Sequence, residues 1–297
     1  EEGDLLTHYF GWAFLRDSIW TFPLGVNPKY GDNIALSIVF TDSIPLVAIP
    51  LKFLSGYLPE NFQYFGLWTL LSFIVFVYIA FLVADIFTKN ALKQISIVLI
   101  LLFSPPMLFR VGWHTALVSQ FFILGAIYLN LERGAEFKNK TWNVLLIMSL
   151  LVNFYIFVMV YVLFMADLID EIIEGRYTCK RGMHQFIIAN CIILVVAWMT
   201  GYFVGGLSSA STIYYGGFGT NVLSIFEPHG WSYVLKNKLF YDYHGNWEDI
   251  NFIGLGGIFL VVMAFCKFKI LIGFCRLSWK KFPVLIFAIL AMALFSF

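Results

Sequence analysis

The chain has 297 residues, of which 60% are hydrophobic and 12% charged, with a mean hydropathy of +0.82. Soluble domains carry about 45–50% apolar and about 25% charged residues, so the composition excludes a water-soluble globular domain and specifies a membrane protein. A net charge of +1 offers no basic field for nucleic acid, and Cys179, Cys191, Cys266 and Cys275 show neither metal-ligand spacing nor a disulfide framework.

Residues 1–61 are the longest stretch that is neither a plain apolar span nor a basic connector. They hold Asp4, His8, Arg16, Asp17, Asp32 and Asp42 among many aromatics. Two pieces inside this stretch are apolar without being spans. THYFGWAFLRDSIW carries Arg16 and Asp17, and SIPLVAIPLKFLSGYL (43–58) is broken by Pro45 and Pro50 and carries Lys52. Both are predicted to lie as helices in the membrane interface.

A crossing helix needs about 20 apolar residues. The first candidate is 62–87, followed by 95–109, which Pro105 and Pro106 end or kink. A short polar turn, Arg110 to His114, leads into TALVSQFFILGAIYLNL, and 141–172, 183–206, 251–266 and 282–297 complete the set. As one helix, 141–172 would measure about 48 Å against a hydrocarbon core of about 30 Å. Basic residues gather in cytoplasmic connectors. A hairpin turning near Asn153 puts connectors 88–94, 132–140, 173–183 and 267–281 on one side, with 13 of the 19 Lys and Arg residues. A single helix would split them, so the sequence predicts the hairpin. The fold class is an all-α polytopic transmembrane helical bundle. Residues 1–61 form a first extracytoplasmic loop with interfacial helices. About eight crossings follow over 62–297, and the loop 207–250 lies on the same side as 1–61. The chain opens on Glu1 and closes in an apolar run, so further spans are expected beyond both ends.

Two interfacial helices separated by a Pro/Gly loop resemble the first extracytoplasmic loop of GT-C type glycosyltransferases, integral membrane enzymes that use lipid-linked sugar donors. The matching elements are Gly3-Asp4 at the head of an amphipathic helix, the segment Trp20 to Gly25 (WTFPLG), and Asp42-Ser43-Ile44-Pro45-Leu46. GDLLTHYFGWAFLR, WTFPLG, TDSIPL, FQYFGLW, GFGTNVLSIFEPHGWS and GNWEDINFIGLG are similar to segments of a bacterial membrane-protein family placed in that superfamily. They span residues 3 to 256. The resemblance implies a multi-pass protein of the bacterial plasma membrane, active on the extracytoplasmic face. Its partners would be a polyprenyl-phosphate-linked sugar donor, a glycan or glycolipid acceptor and membrane lipids.

Within that resemblance Asp4 is the catalytic candidate, because sugar transfer to a hydroxyl needs a carboxylate to take the acceptor proton. Position alone supports a second role, since Asp is a favoured helix N-cap. The superfamily often carries paired acids at this point. Here Leu5 follows Asp4, so the pair is absent and no metal site is predicted. Asp42 caps the second interfacial helix or holds sugar hydroxyls from across the cavity. His8 shares a helix face with Asp4 at i, i+4 and either orients that carboxylate or packs structurally. Arg16 lies two turns further on the same helix. Arg110 and His114 either reach the interface as helix-end charges or meet the donor phosphate, which suits the planar guanidinium.

In 207–250, aromatics beside carboxylates suit sugar recognition and membrane anchoring equally, and Glu248-Asp249 is the second acidic candidate. His229 and His244 lack metal spacing, and no cofactor is implied; a divalent cation is compatible with the resemblance but not indicated by the residues. The sequence therefore predicts transfer of a sugar from a polyprenyl-phosphate donor to a cell-surface acceptor. A lipid-linked glycan translocase or a non-catalytic glycan-binding membrane protein is the alternative. Polar groups through the bilayer depth would mark a translocase, whereas here they gather on one face.

Overall fold

The computed structural model describes residues 3–28, 35–111, 113–132, 138–204, 222–228, 232–235 and 251–295. Among these residues the secondary structure is helical, apart from one isolated antiparallel bridge between Val26 and Ser37. The first loop contributes α1 (Gly3–Asp17) and α2 (Pro45–Phe53). Next come α3 (Phe65–Phe87), α4 (Ala91–Leu102), α5 (Pro105–Phe109) and α6 (Phe121–Leu131). They are followed by α7 (Lys138–Leu150), α8 (Phe154–Ile173), α9 (Cys179–Thr200), α10 (Gly254–Cys266), α11 (Phe268–Lys281) and α12 (Pro283–Phe295).

Among the described residues two helices are both long and apolar enough to cross a bilayer, α3 with 23 residues and α9 with 22. At 1.5 Å per residue each is about 33–35 Å long. A third span exists if Gly254–Cys266 and Leu271–Lys281, bent by 101°, are counted as one broken crossing. The sequence counted about eight crossings, and the difference has local causes. Ser104-Pro105 separates α4 from α5, because a proline ring fits the first turn of a new helix but not the interior of an old one. Residues 115–120 form turns ahead of α6, leaving that helix 11 residues. α8 has the length, but Asp167, Asp170 and Glu171 crowd its last turns.

The chain divides into two units, one of residues 1–79 and 110–210, the other of 80–109 and 211–297. In the second, Asn90 caps α4 by accepting from the Lys93 N–H, and Asp85 pairs with Lys89 on the exposed end of α3. The Ile253 N–H donates to the Ile225 carbonyl at 3.2 Å, tying a short 3-10 turn to the start of α10. α11 is amphipathic, with Phe268, Ile272, Phe274, Leu277 and Trp279 exposed beside its lysines.

The first unit is built on the antiparallel helices α7, α8 and α9. α7 ends at Leu150 and α8 begins at Phe154, so the long apolar run 141–172 is a hairpin. Asn153 sets its corner, for its Oδ1 accepts the N–H groups of Tyr155 and Ile156 that the first turn of α8 leaves open. Polar side chains join the helices along their length, as in apolar surroundings where few other directional forces act. Asn130 Nδ2 reaches the Leu163 carbonyl at 3.0 Å, Gln185 reaches Asn143 at 3.1 Å, and the Tyr161 hydroxyl reaches Asn190 at 3.0 Å.

The end of the packet away from Asn153 is held by charge. Lys138, 2% exposed, lies 2.6 Å from Asp167 and 2.8 Å from Glu171, and Trp142 donates to Asp167 at 2.8 Å. Arg176 adds contacts to Glu171 at 2.7 Å, to Asp170 at 3.6 Å and to Glu174. Removing one partner of a buried ion pair leaves a desolvated charge and is strongly destabilising. Lys138→Met is therefore expected to lower unfolding stability by about 3–5 kcal/mol, measured by denaturant unfolding in detergent micelles. Lys89→Met, at an exposed pair, is expected to leave the midpoint unchanged.

Candidate functional site

α1 buries one face and exposes the other. His8, Gly11, Trp12 and Leu15 are buried, at the i, i+3, i+4, i+7 spacing of a helix stripe. Leu6, Phe10 and Phe14 form an exposed apolar row on the opposite side. The buried face receives the turn Thr41–Ile44 at Gly11. A Cβ on Gly11 would lie 2.3 Å from both Ser43 Oγ and Thr41 Oγ1, so only glycine permits the approach. The Ser43 hydroxyl donates to the His8 carbonyl at 2.6 Å, Thr41 Oγ1 lies 2.8 Å from Ser43 Oγ, and the Tyr64 hydroxyl donates to the Ser43 carbonyl. Asp42 and Ile44 adopt φ of +51° and +52°. Left-handed backbone is unfavourable for a β-branched residue, and it is held here by Pro45 opening α2 and by the Leu46 N–H donating to the Leu151 carbonyl at 2.8 Å.

This turn presents Asp42 to His8. His8 Nε2 lies 4.0 Å from Asp42 Oδ2, while its Nδ1 is 3.2 Å from Thr115 Oγ1. Asp42 Oδ1 accepts from Asn153 Nδ2 at 2.8 Å, so the residue that starts α8 also orients the carboxylate. His114 arrives from the turn before α6, its ring centroid 6.3 Å from that of His8. One ligand-type atom from each of His8, Asp42 and His114 lies within 4.8 Å of the others. Near this group, burial first and then the negative charge of Asp42 push the Tyr202 hydroxyl above its ordinary pKa. It stays protonated and donates to the Leu150 carbonyl at 2.6 Å.

Leu24 and Ser37 of the first loop tie to the same end of the α7–α9 packet. The Leu24 N–H donates to the Met199 carbonyl and Ser37 Oγ to the Thr200 carbonyl, each at 2.8 Å. Lys52 is buried, donating to Ser18 Oγ at 2.8 Å, with its ammonium 4.5 Å from the Trp20 ring. Burial lowers its pKa.

Three of the eight residues singled out from the sequence, His8, Asp42 and His114, are thus brought together. Asp4 lies one helical turn before His8 on the same face of α1; its side chain is outside the described residues. Arg110 is half-buried, and its carbonyl accepts the His114 N–H at 3.1 Å, so the two share one turn. Arg16 does different work: its guanidinium donates to the carbonyls of Ser55, Leu58, Pro59 and Glu60 at 2.7–3.2 Å, closing the turn after α2. Glu248 and Asp249 are outside the described residues. Sequence reading missed Thr115 and the second role of Asn153. An Asn ahead of an apolar run signals a cap, but nothing local signals a contact with a residue 111 positions away. It also predicted no metal site. The ligand-type groups at 8, 42 and 114 have no motif spacing, because three separate segments carry them.

The profile of a domain of unknown function, DUF6311, matches residues 1–297, and the chain belongs to that family. A search of curated proteins and a search of solved structures each return no match.

Because the whole group hangs on the approach at Gly11, Gly11→Ala is expected to displace the Thr41–Ile44 turn. The overpacking should lower stability by about 1–3 kcal/mol, read as a lower thermal midpoint in detergent. Gly56→Ala, where an added Cβ meets nothing within 4 Å, is the matched control and should leave the midpoint unchanged.

Proposed function

We propose that this protein is a membrane glycosyltransferase of the GT-C type, a multi-pass protein of the bacterial plasma membrane working at its extracytoplasmic face. The observation that carries this reading is the convergence of His8, Asp42 and His114 within 4.8 Å, one turn from Asp4. The exposed row of Leu6, Phe10 and Phe14 on α1 suits a helix resting on lipid while the face that carries His8 turns inward. A polar site at such a surface is where a lipid-linked donor and a water-soluble acceptor can meet.

In the proposed reaction the acceptor hydroxyl oxygen bonds to the anomeric carbon of the donor sugar. The bond from that carbon to the phosphate oxygen breaks, and its electron pair leaves with the polyprenyl phosphate. The Asp4 carboxylate takes the hydroxyl proton. Asp42, oriented by Asn153, accepts sugar hydroxyls, and Arg110 beside His114 faces the phosphate. The basic connector 173–183 lies on the cytoplasmic side, and the donor's lipid tail lies along the apolar spans.

The test is transfer of labelled sugar from a polyprenyl-phosphate donor pool in membranes holding equal amounts of each protein. Loss of a general base is expected to slow transfer about 10²–10⁴-fold. Asp4→Asn should show that loss with donor binding retained, whereas Asp42→Asn should weaken binding as well. Full transfer by Asp4→Asn would remove it from the mechanism, and no transfer by wild type across defined donors would remove the transferase reading.

A further inference from the structure

We propose that His8, Asp42 and His114 form a binding site for a divalent transition-metal ion of the zinc type. The donor set is two imidazole nitrogens and one carboxylate oxygen. That set suits zinc and its neighbours in the first transition row, whereas magnesium and calcium favour all-oxygen sites. Three protein ligands leave a fourth position open, which is the pattern of a working metal site rather than a closed structural one.

The orientation of the ligands is the second observation. Metal-binding histidines and carboxylates are held by a further partner on the atom that does not meet the metal. His8, 3% exposed, has Nδ1 at 3.2 Å from Thr115 Oγ1, which leaves Nε2 as the ligating atom. That nitrogen is the one 4.0 Å from Asp42 Oδ2, while Asp42 Oδ1 is engaged by Asn153. Both outer partners are on segments far from their ligands in sequence, and both point the remaining atom into the same space. A tetrahedral ion with ligands at about 2.1 Å needs ligand atoms about 3.4 Å apart. The pair at 4.0 Å, within a group no wider than 4.8 Å, stands about 0.6 Å outside that spacing, a gap that a bound ion would close.

Metal binding here does not depend on the transferase reading. One extension does rest on it: the open position would take a phosphate oxygen of the lipid-linked donor, placing positive charge where the leaving phosphate gains negative charge.

The experiment uses purified protein in detergent, stripped by chelator, reloaded with Zn²⁺ and dialysed, with metal counted by mass spectrometry. Co²⁺ serves as a visible-absorption probe of imidazole ligation. Wild type is expected to retain stoichiometric Zn²⁺ and to give an intense Co²⁺ spectrum. His114→Ala and Asp42→Asn should lose the bound metal and the spectrum. Thr115→Val keeps every ligand and should weaken affinity about 10–100-fold, while His184→Ala, remote on α9, should match wild type. Circular dichroism and elution volume identify the folded variants, and Thr115→Val keeps the outcome readable where a ligand variant fails to fold. Folded wild type without retained metal, or equal retention by wild type, His114→Ala and Asp42→Asn, would overturn the site. So would loss of metal on His184→Ala. Stoichiometric metal with no sugar transfer from any donor would sink the transferase reading and leave the site standing. Transfer that persists in chelator-stripped, metal-free protein would do the reverse for the proposed phosphate contact.

Discussion

The arrangement around His8 depends on one steric constraint, the contact of α1 with the turn Thr41–Ile44 at Gly11. A helix and an irregular segment approach this closely only where a side chain is missing, and the space that Gly11 leaves is filled by the hydroxyls of Thr41 and Ser43. Those hydroxyls bond each other and the His8 carbonyl, so the polar groups brought into a buried contact are satisfied rather than stranded. Ser43 is then fully buried while its neighbour Asp42 remains partly open. Left-handed conformations on both sides of Ser43 make that division, and strained backbone of this sort persists where the surroundings over-determine it. Here they do so through Tyr64, Pro45 and Leu151.

α8 carries the consequences across the first unit. Its first residue follows Asn153, whose amide both starts the helix and holds Asp42. Its last turns hold the carboxylates that surround Lys138 and Arg176. Twenty residues separate polar ends by about 30 Å, close to the thickness of a hydrocarbon core. The buried ions are costly to desolvate and are placed at the end where basic connectors lie. The His8 group occupies the other end. One helix thereby separates two polar regions of different character, a closed ion network and an open cluster of ligand-type groups.

Much of the fold was legible in the sequence because it rests on local rules. Apolar runs of sufficient length mark α3 and α9, Pro105 marks the break between α4 and α5, and the excess length of 141–172 together with the placement of basic residues marks the hairpin at Asn153. The two helices of the first loop were legible for the same reason, in that they are apolar yet too short or too charged to cross. The number of complete crossings was not legible in this way. Hydropathy counts apolar residues, whereas helix length depends on where turns interrupt them, as residues 115–120 interrupt the segment leading to α6.

For the candidate site, sequence determined the cast and the structure decided the grouping. His8, Asp42 and His114 stood out as polar residues in aromatic, membrane-proximal segments, and helix periodicity alone put Asp4 and His8 on one face. Arg16 stood out for the same reason, yet its guanidinium closes the turn after α2 through four carbonyls. No rule of composition or spacing separates a charge that organises backbone from one that faces an open site. The separation is made by packing: Gly11 admits the turn, Asn153 reaches Asp42 across 111 positions, and Thr115 orients the His8 ring. Periodicity and capping act over one or two helical turns, and therefore appear in the chain itself. Convergence of residues 8, 42 and 114 is a property of three segments folded against one another, and only the tertiary structure contains it.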